Sequence, residues 1–142
     1  MTEQFEVKIL SPGKPAQEHQ SSRVSVYAQD GFLEIYPDHG PIVFLLGNGP
    51  CEIFQDEDSH KLAVHGGFAH LIHNKLTLFP HYFEAPEDVD LQRAQEALRR
   101  SNLRLTGKDP ELSKRSTQMG RLYASRERAI LRLRLKGVSV DE

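Results

Sequence analysis

The hydrophobic repeat of this chain changes period once, at Glu84, and that change limits what the chain can fold into. Before it, apolar residues alternate. Phe5, Val7 and Ile9 are spaced by Glu6 and Lys8, and Val24, Val26 and Ala28 alternate again, the period-2 mark of half-buried strands. After it, Leu91, Ala94, Leu98 and Leu105 recur at helical spacing. Charge changes at the same place. Residues 1–83 carry 5 Lys/Arg and 10 Asp/Glu, whereas residues 84–142 carry 13 and 10. Such a coincidence marks a boundary between segments with different partners. The expected fold is α+β: an N-terminal β-sandwich over 1–84 and a C-terminal antiparallel two-helix hairpin over 85–142.

Turn chemistry punctuates the first segment. Ser11-Pro12-Gly13, Asp30-Gly31 and Pro37 end successive strands. Ile42 to Leu46 is a wholly apolar run that Gly47-Asn48-Gly49-Pro50 is expected to break. Cys51–Phe54 and Lys61–Val64 flank the acidic turn Gln55-Asp56-Glu57-Asp58. Gly66-Gly67 predicts a bend, and Phe68–Ile72 should pair with Leu76–Phe79 across His73-Asn74-Lys75.

In the second segment, Pro86-Glu87-Asp88 suits a first helical turn, and Gly107 is the expected stop. Asp109-Pro110-Glu111 supplies cap, proline and acid for a second helix ending at Gly137. The short connection predicts antiparallel packing. On the second helix Leu112, Met119, Leu122, Tyr123, Ala129, Ile130 and Leu133 share one face, and Arg121, Arg128 and Arg132 the opposite one. Arg115 and Arg126 fall inside the apolar face. Gly120 sits mid-helix, where it costs roughly 1 kcal/mol relative to alanine. A helix with these features is held loosely and can exchange packing partners.

Residues 111–136 hold 8 basic and 2 acidic side chains, and 10 of the 13 basic residues after position 83 are Arg. Arginine's planar fork suits carboxylates and phosphates. A free-standing protein with a nucleic-acid-binding helix is the rival reading; the acidic first segment and an aromatic content of 8% argue against it. A small enzyme is a second rival. It lacks support because no phosphate-cradling loop, nucleophile elbow or acid/base motif is present. His60, His65, His70 and His73 fit no established metal spacing, and His70 and His73 should face opposite sides of a strand. Cys51 cannot pair within the chain and reads as a small buried hydrophobe. The first residues lack the marks of a secretory signal, and no apolar run reaches the length of a membrane span.

The segment Asp30–Leu46, DGFLEIYPDHGPIVFLL, resembles the loop-and-strand signature of the F-type ATP synthase epsilon subunit, with Gly31, Leu33, Ile35, Pro37, His39 and Pro41 matching. His65-Gly66-Gly67-Phe68 is similar to that family's Gly-Gly-aromatic bend, Leu76–Phe79 to its last strand, and Val89-Asp90-Leu91-Gln92-Arg93-Ala94 to the start of its first helix. Glu34 and Asp38 depart from glycines common there, and Glu84-Ala85-Pro86 is unusual before the first helix.

The resemblance implies a noncatalytic rotor subunit. Its sandwich would pack on the gamma subunit near the membrane ring of c subunits. Its hairpin would move between a form folded on the sandwich and one extended into the alpha/beta catalytic head, inhibiting ATP hydrolysis. It would lie at the cytoplasmic face of the bacterial plasma membrane, bound to the bilayer only through the complex and with no nucleic-acid partner. His39, Arg115, Arg121, Arg126 and Arg134 are the implied partner contacts, with Arg128 and Arg132 sharing that role. No cofactor is required, but some members bind ATP as a regulatory ligand. The matching positions are Glu84, Asp90, Arg93, Arg100, Arg128 and Arg132.

Overall fold

The computed structural model describes residues 3–105 and 116–140, with side chains from 120 onward in the second stretch. The chain divides into two compact units, Met1–Ala85 and Pro86–Glu142.

The first unit holds nine strands: β1 (Phe5–Ile9), β2 (Gln17–Ser21), β3 (Arg23–Ala28), β4 (Gly31–Ile35), β5 (Ile42–Gln55), β6 (Asp58–His65), β7 (Phe68–Ile72), β8 (Lys75–Phe79) and β9 (Tyr82–Glu84). They form two layers that share β5. One layer runs β2-β1-β8-β7-β5, the other β4-β3-β5-β6-β9. All pairs are antiparallel except β1 with β8. Inward-facing Phe5, Val7, Ile9, Leu71, Leu76 and Leu78 of the first layer meet Val24, Val26, Ile35, Ile53, Leu62, Val64 and Phe83 of the second in one core. Burial of this apolar surface is the main stabilising term.

The expected break at Gly47–Pro50 does not occur. β5 runs through it, pairing with β7 over Ile42–Leu45, with β6 over Asn48–Gln55, and with β3 at Leu46 and over Cys51–Phe54. The glycines and Pro50 mark where the strand changes layer. Opposite them the β3 register slips between Val26 and Ala28. Pro50 therefore interrupts no regular ladder with β3, which is how a strand interior tolerates it. β2, Gln-Glu-His-Gln-Ser, was not foreseen. Among the described residues it is a polar edge strand that pairs with β1 alone, and it carries no apolar alternation to read. The pairing of β7 with β8 is as expected, but the turn is tighter: Lys75 already pairs with Ile72, leaving His73 and Asn74, with positive φ of 50° and 58°, as the two left-handed residues of the hairpin.

The second unit begins with a 3-10 turn, Pro86–Asp88, followed by α1 (Leu91–Leu103) and α2 (Ser116–Leu135). The expected continuous start at Pro86 is thus corrected. Asp90 is the N-cap, its Oδ1 accepting from the Arg93 amide at 3.1 Å, and the proline turn precedes it. Arg104 and Leu105 continue α1 as a wider π turn. The expected stop at Gly107 and start at Asp109-Pro110-Glu111 lie outside the described residues, as do the side chains of Leu112, Arg115 and Met119.

α2 ends as its sequence foretells. Gly137 has φ +80°, its amide donates to Arg134 O at 2.9 Å, and the Val138 amide reaches back to Leu133 O at 2.9 Å. This is a Schellman cap. Val138 and Val140 then fold onto a small core of Val89, Ala94, Leu98, Leu133 and Leu135. Arg126 Nε donates to Asn102 Oδ1 at 2.7 Å. Because Leu133 meets the start of α1 and Arg126 its end, the two helices are antiparallel. Tyr123, expected on the packing face, is 53% exposed, while Leu122, Ala129, Ile130 and Leu133 are buried.

Candidate partner-binding surfaces

Strand pairing decides which side chains share a face. Leu45 pairs with Phe68 and Phe68 with Phe79; Val43 pairs with His70 and His70 with Thr77. Val43 and Leu45 are 72% and 57% exposed, and Phe68 and Ile72 are nearly half exposed. Phe68 stacks on Phe79 at 4.7 Å between ring centroids, and His70 lies 5.3 Å from Phe79. The outer face of β5-β7-β8 is therefore a contiguous apolar and aromatic strip. Further across the layer the same face turns charged, with Lys75 3.6 Å from Glu6 and Lys8 3.5 Å from Glu18. An apolar strip with a polar border is the usual anatomy of a protein-binding surface. The signal was present in the sequence: Ile42 to Leu46 is apolar on both faces, although only one can point into the core.

His39 lies beyond β4 on an exposed loop. Its Nδ1 donates to Gly40 O at 2.7 Å. Asp38 holds the loop in a left-handed conformation, φ 64°, and its amide donates to Asn74 Oδ1 at 2.8 Å. The loop is thereby fixed against the β7–β8 turn. His70 and His73 do not oppose each other across a strand, because His73 belongs to the turn.

In the hairpin, Arg93 and Arg100 are seven residues apart and share one flank of α1. Arg121, Arg128 and Arg132 share one flank of α2. In an antiparallel pair these flanks lie on the same side, and the register set by Arg126–Asn102 and Leu133–Ala94 puts Arg128 level with Arg100 and Arg132 nearer Arg93. Arg93, Arg100, Arg121 and Arg128 are exposed, Arg132 is half-buried, and Arg134 is exposed on another side of α2. Arg126 differs from the others. It is directed at Asn102 and also lies 3.3 Å from Glu127 Oε1. An arginine on the packing face is thus satisfied within the hairpin.

Two acids of the expected nucleotide set have structural tasks. Asp90 caps α1. Glu84 is 4% exposed, and its Oε1 accepts from His65 Nε2 at 3.1 Å inside the first unit. Cys51 is fully buried, and burial with the neighbouring Glu52 charge pushes its thiol up to about 12. It is inert as a nucleophile or ligand at neutral pH.

The family model of the ATP synthase delta/epsilon chain β-sandwich domain matches residues 4–85. An ATP synthase epsilon chain of Koribacter versatilis is 32% identical over 78% of this chain and 78% of its own length. One of Caldicellulosiruptor bescii is 30% identical over 98% of both. Among solved structures, chains of the Euglena gracilis mitochondrial ATP synthase (OSCP/F1/c-ring) and the Tetrahymena thermophila central stalk/c-ring share the fold. Their TM-scores are 0.65 and 0.59 at 15% and 16% identity. They cover 92% and 97% of this chain, which in turn covers 75% and 98% of theirs. By the match along its β-sandwich and its identity to full-length relatives, the chain belongs to the ATP synthase epsilon chain family.

Proposed function

We propose that this protein is a noncatalytic central-stalk subunit of an F-type ATP synthase. In this reading the sandwich docks on the gamma subunit through the strip Val43, Leu45, Phe68 and Phe79. The His39 loop faces the c ring, and the hairpin regulates ATP hydrolysis by reaching the alpha/beta head. The observation that carries the reading is that strip: a member of this family leaves large apolar side chains uncovered on one face of its sandwich, and burying them against a partner is favourable. Attachment to the cytoplasmic face of the membrane is through the complex; no described helix is long and apolar enough to cross a bilayer.

Arg121, Arg128 and Arg132 on one flank of α2 suit an acidic surface, and Arg134 offers a further contact from another side of the helix; Arg115, expected to share this role, lies outside the described residues. Co-purification with gamma tests the docking. Leu45→Asp with Phe68→Asp should abolish it, and unchanged co-purification overturns the assignment of the face. Truncation after Gly107 should raise ATPase activity of the reconstituted complex while leaving assembly intact. A truncated form no more active than the full chain ends the regulatory part.

ATP as a regulatory ligand of the hairpin is part of the same proposal. The register of Arg93 and Arg100 with Arg128 and Arg132 supports it, since converging guanidinium forks hold phosphates. Asp90 gives Oδ1 to its cap and Glu84 gives Oε1 to His65, so the arginines carry this reading. Calorimetric titration of the full chain with ATP should give heat that Arg128→Ala reduces; no heat at millimolar nucleotide ends it.

A further inference from the structure

The two layers of the sandwich meet at an open edge where β2 of one approaches β5 and β6 of the other. Ser21 Oγ and the Ser22 amide both donate to Phe54 O there, at 2.6 and 2.9 Å. Two histidines far apart in sequence come together across this edge. His19 pairs with Val7, and His60 with Ile53. Val7 and Ile53 are fully buried, and cross-strand partners point to the same face, so both histidines are directed between the layers. Their ring centroids are 5.0 Å apart, with planes tilted by 43°. Gln17 pairs with buried Ile9 and points the same way; its Oε1 accepts from His19 Nε2 at 3.2 Å, a proton that a bound ion would replace.

We propose that His19, His60 and the Gln17 amide oxygen form a binding site for a divalent transition-metal ion of the imidazole-preferring kind, such as Zn2+, Ni2+ or Cu2+. The spacings are those of neighbouring ligands on one ion. With metal–nitrogen bonds of about 2.1 Å, two imidazoles on one ion hold their centroids about 5 Å apart at a near-tetrahedral angle. A nitrogen and an oxygen ligand each about 2.1 Å from the ion stand about 3.0 Å apart at a right angle and about 3.4 Å at a tetrahedral one, which brackets the 3.2 Å between His19 Nε2 and Gln17 Oε1. Among the described residues no three His, Cys, Asp or Glu side chains gather to hold a metal. The donor set is therefore two imidazoles and an amide, completed by water.

The ion would clasp β2, paired with β1 alone among the described residues, to β6 of the opposite layer. The site is independent of the proposed rotor role, and neither stands or falls with the other.

The test uses the full-length protein titrated with ZnCl2, NiCl2 or CuCl2 in a non-chelating buffer, by calorimetry and by thermal unfolding. One ion should bind per chain and raise the unfolding temperature. His60→Gln and His19→Gln should each weaken binding at least tenfold and remove the thermal shift; His60, exposed near a turn, can be replaced without loss of the fold. His73→Gln should bind as the parent does. Bound Cu2+ should show two nitrogen ligands by electron paramagnetic resonance, and His60→Gln one. Absence of saturable binding, or binding unchanged in His60→Gln, overturns the site.

Discussion

Tyr27 lies directly against the backbone of Gly49. A Cβ added at Gly49 would stand 2.6 Å from both Cβ and Cγ of Tyr27, and one added at Gly47 would stand 2.8 Å from Tyr27 Cδ1. Tyr27 is the residue at which the β3 register slips, so its side chain covers the stretch where β5 changes layer.

Gly49→Ala should therefore destabilise the sandwich by about 1–3 kcal/mol, the usual cost of overpacking. Tyr27→Ala should not rescue it, because alanine keeps the offending Cβ. Gly47→Ala meets the ring first, so the same Tyr27→Ala background should restore part of its loss. Urea unfolding of the four variants checks the contrast.

Breaking the His65–Glu84 pair leaves the surviving partner buried. His65→Ala should cost about 3 kcal/mol. Glu84→Gln keeps an acceptor for Nε2 and should cost about 1 kcal/mol. Denaturant midpoints measure both, and equal losses would contradict the geometry.

The hairpin is held by a few contacts that can be removed singly. Arg126→Ala and Asn102→Ala should each loosen it by about 1 kcal/mol, and the double variant should lose no more than either. Val138→Asp should expose the core formed with Val89, Ala94 and Leu133. Hydrogen exchange of α1 amides would rise in all of these while that of β1 and β8 stays unchanged.

Cys51 titrates at about 12 in the fold against 9.0 in the reference state. The unfolded chain therefore loses this proton first as pH rises. The stability that the buried thiol contributes is complete below pH 9.0 and falls as pH climbs toward about 12. At pH 8 a thiol reagent should label the protein only as fast as it unfolds; fast labelling of the native form would contradict full burial.

Much of this protein is legible in its sequence. The period change at Glu84, the alternation in β1 and β3 and the Gly137 stop of α2 are local properties, set by side-chain geometry and backbone conformation within a few residues. Family membership was legible too, because Gly31, Pro37, His39, Gly66-Gly67 and Asp90–Ala94 match the family's pattern in order across both segments. What the sequence could not determine depends on residues distant along it. Gly47–Pro50 carries the composition of a turn, yet β5 continues because β3, β6 and β7 supply partners on both sides of it. β2 has no apolar pattern, and β1 alone makes it a strand. The sharing of one open edge by His19 and His60, and of one hairpin flank by Arg100 and Arg128, follows from strand and helix register. Register is fixed by burial of the whole core, and only the tertiary structure decides it.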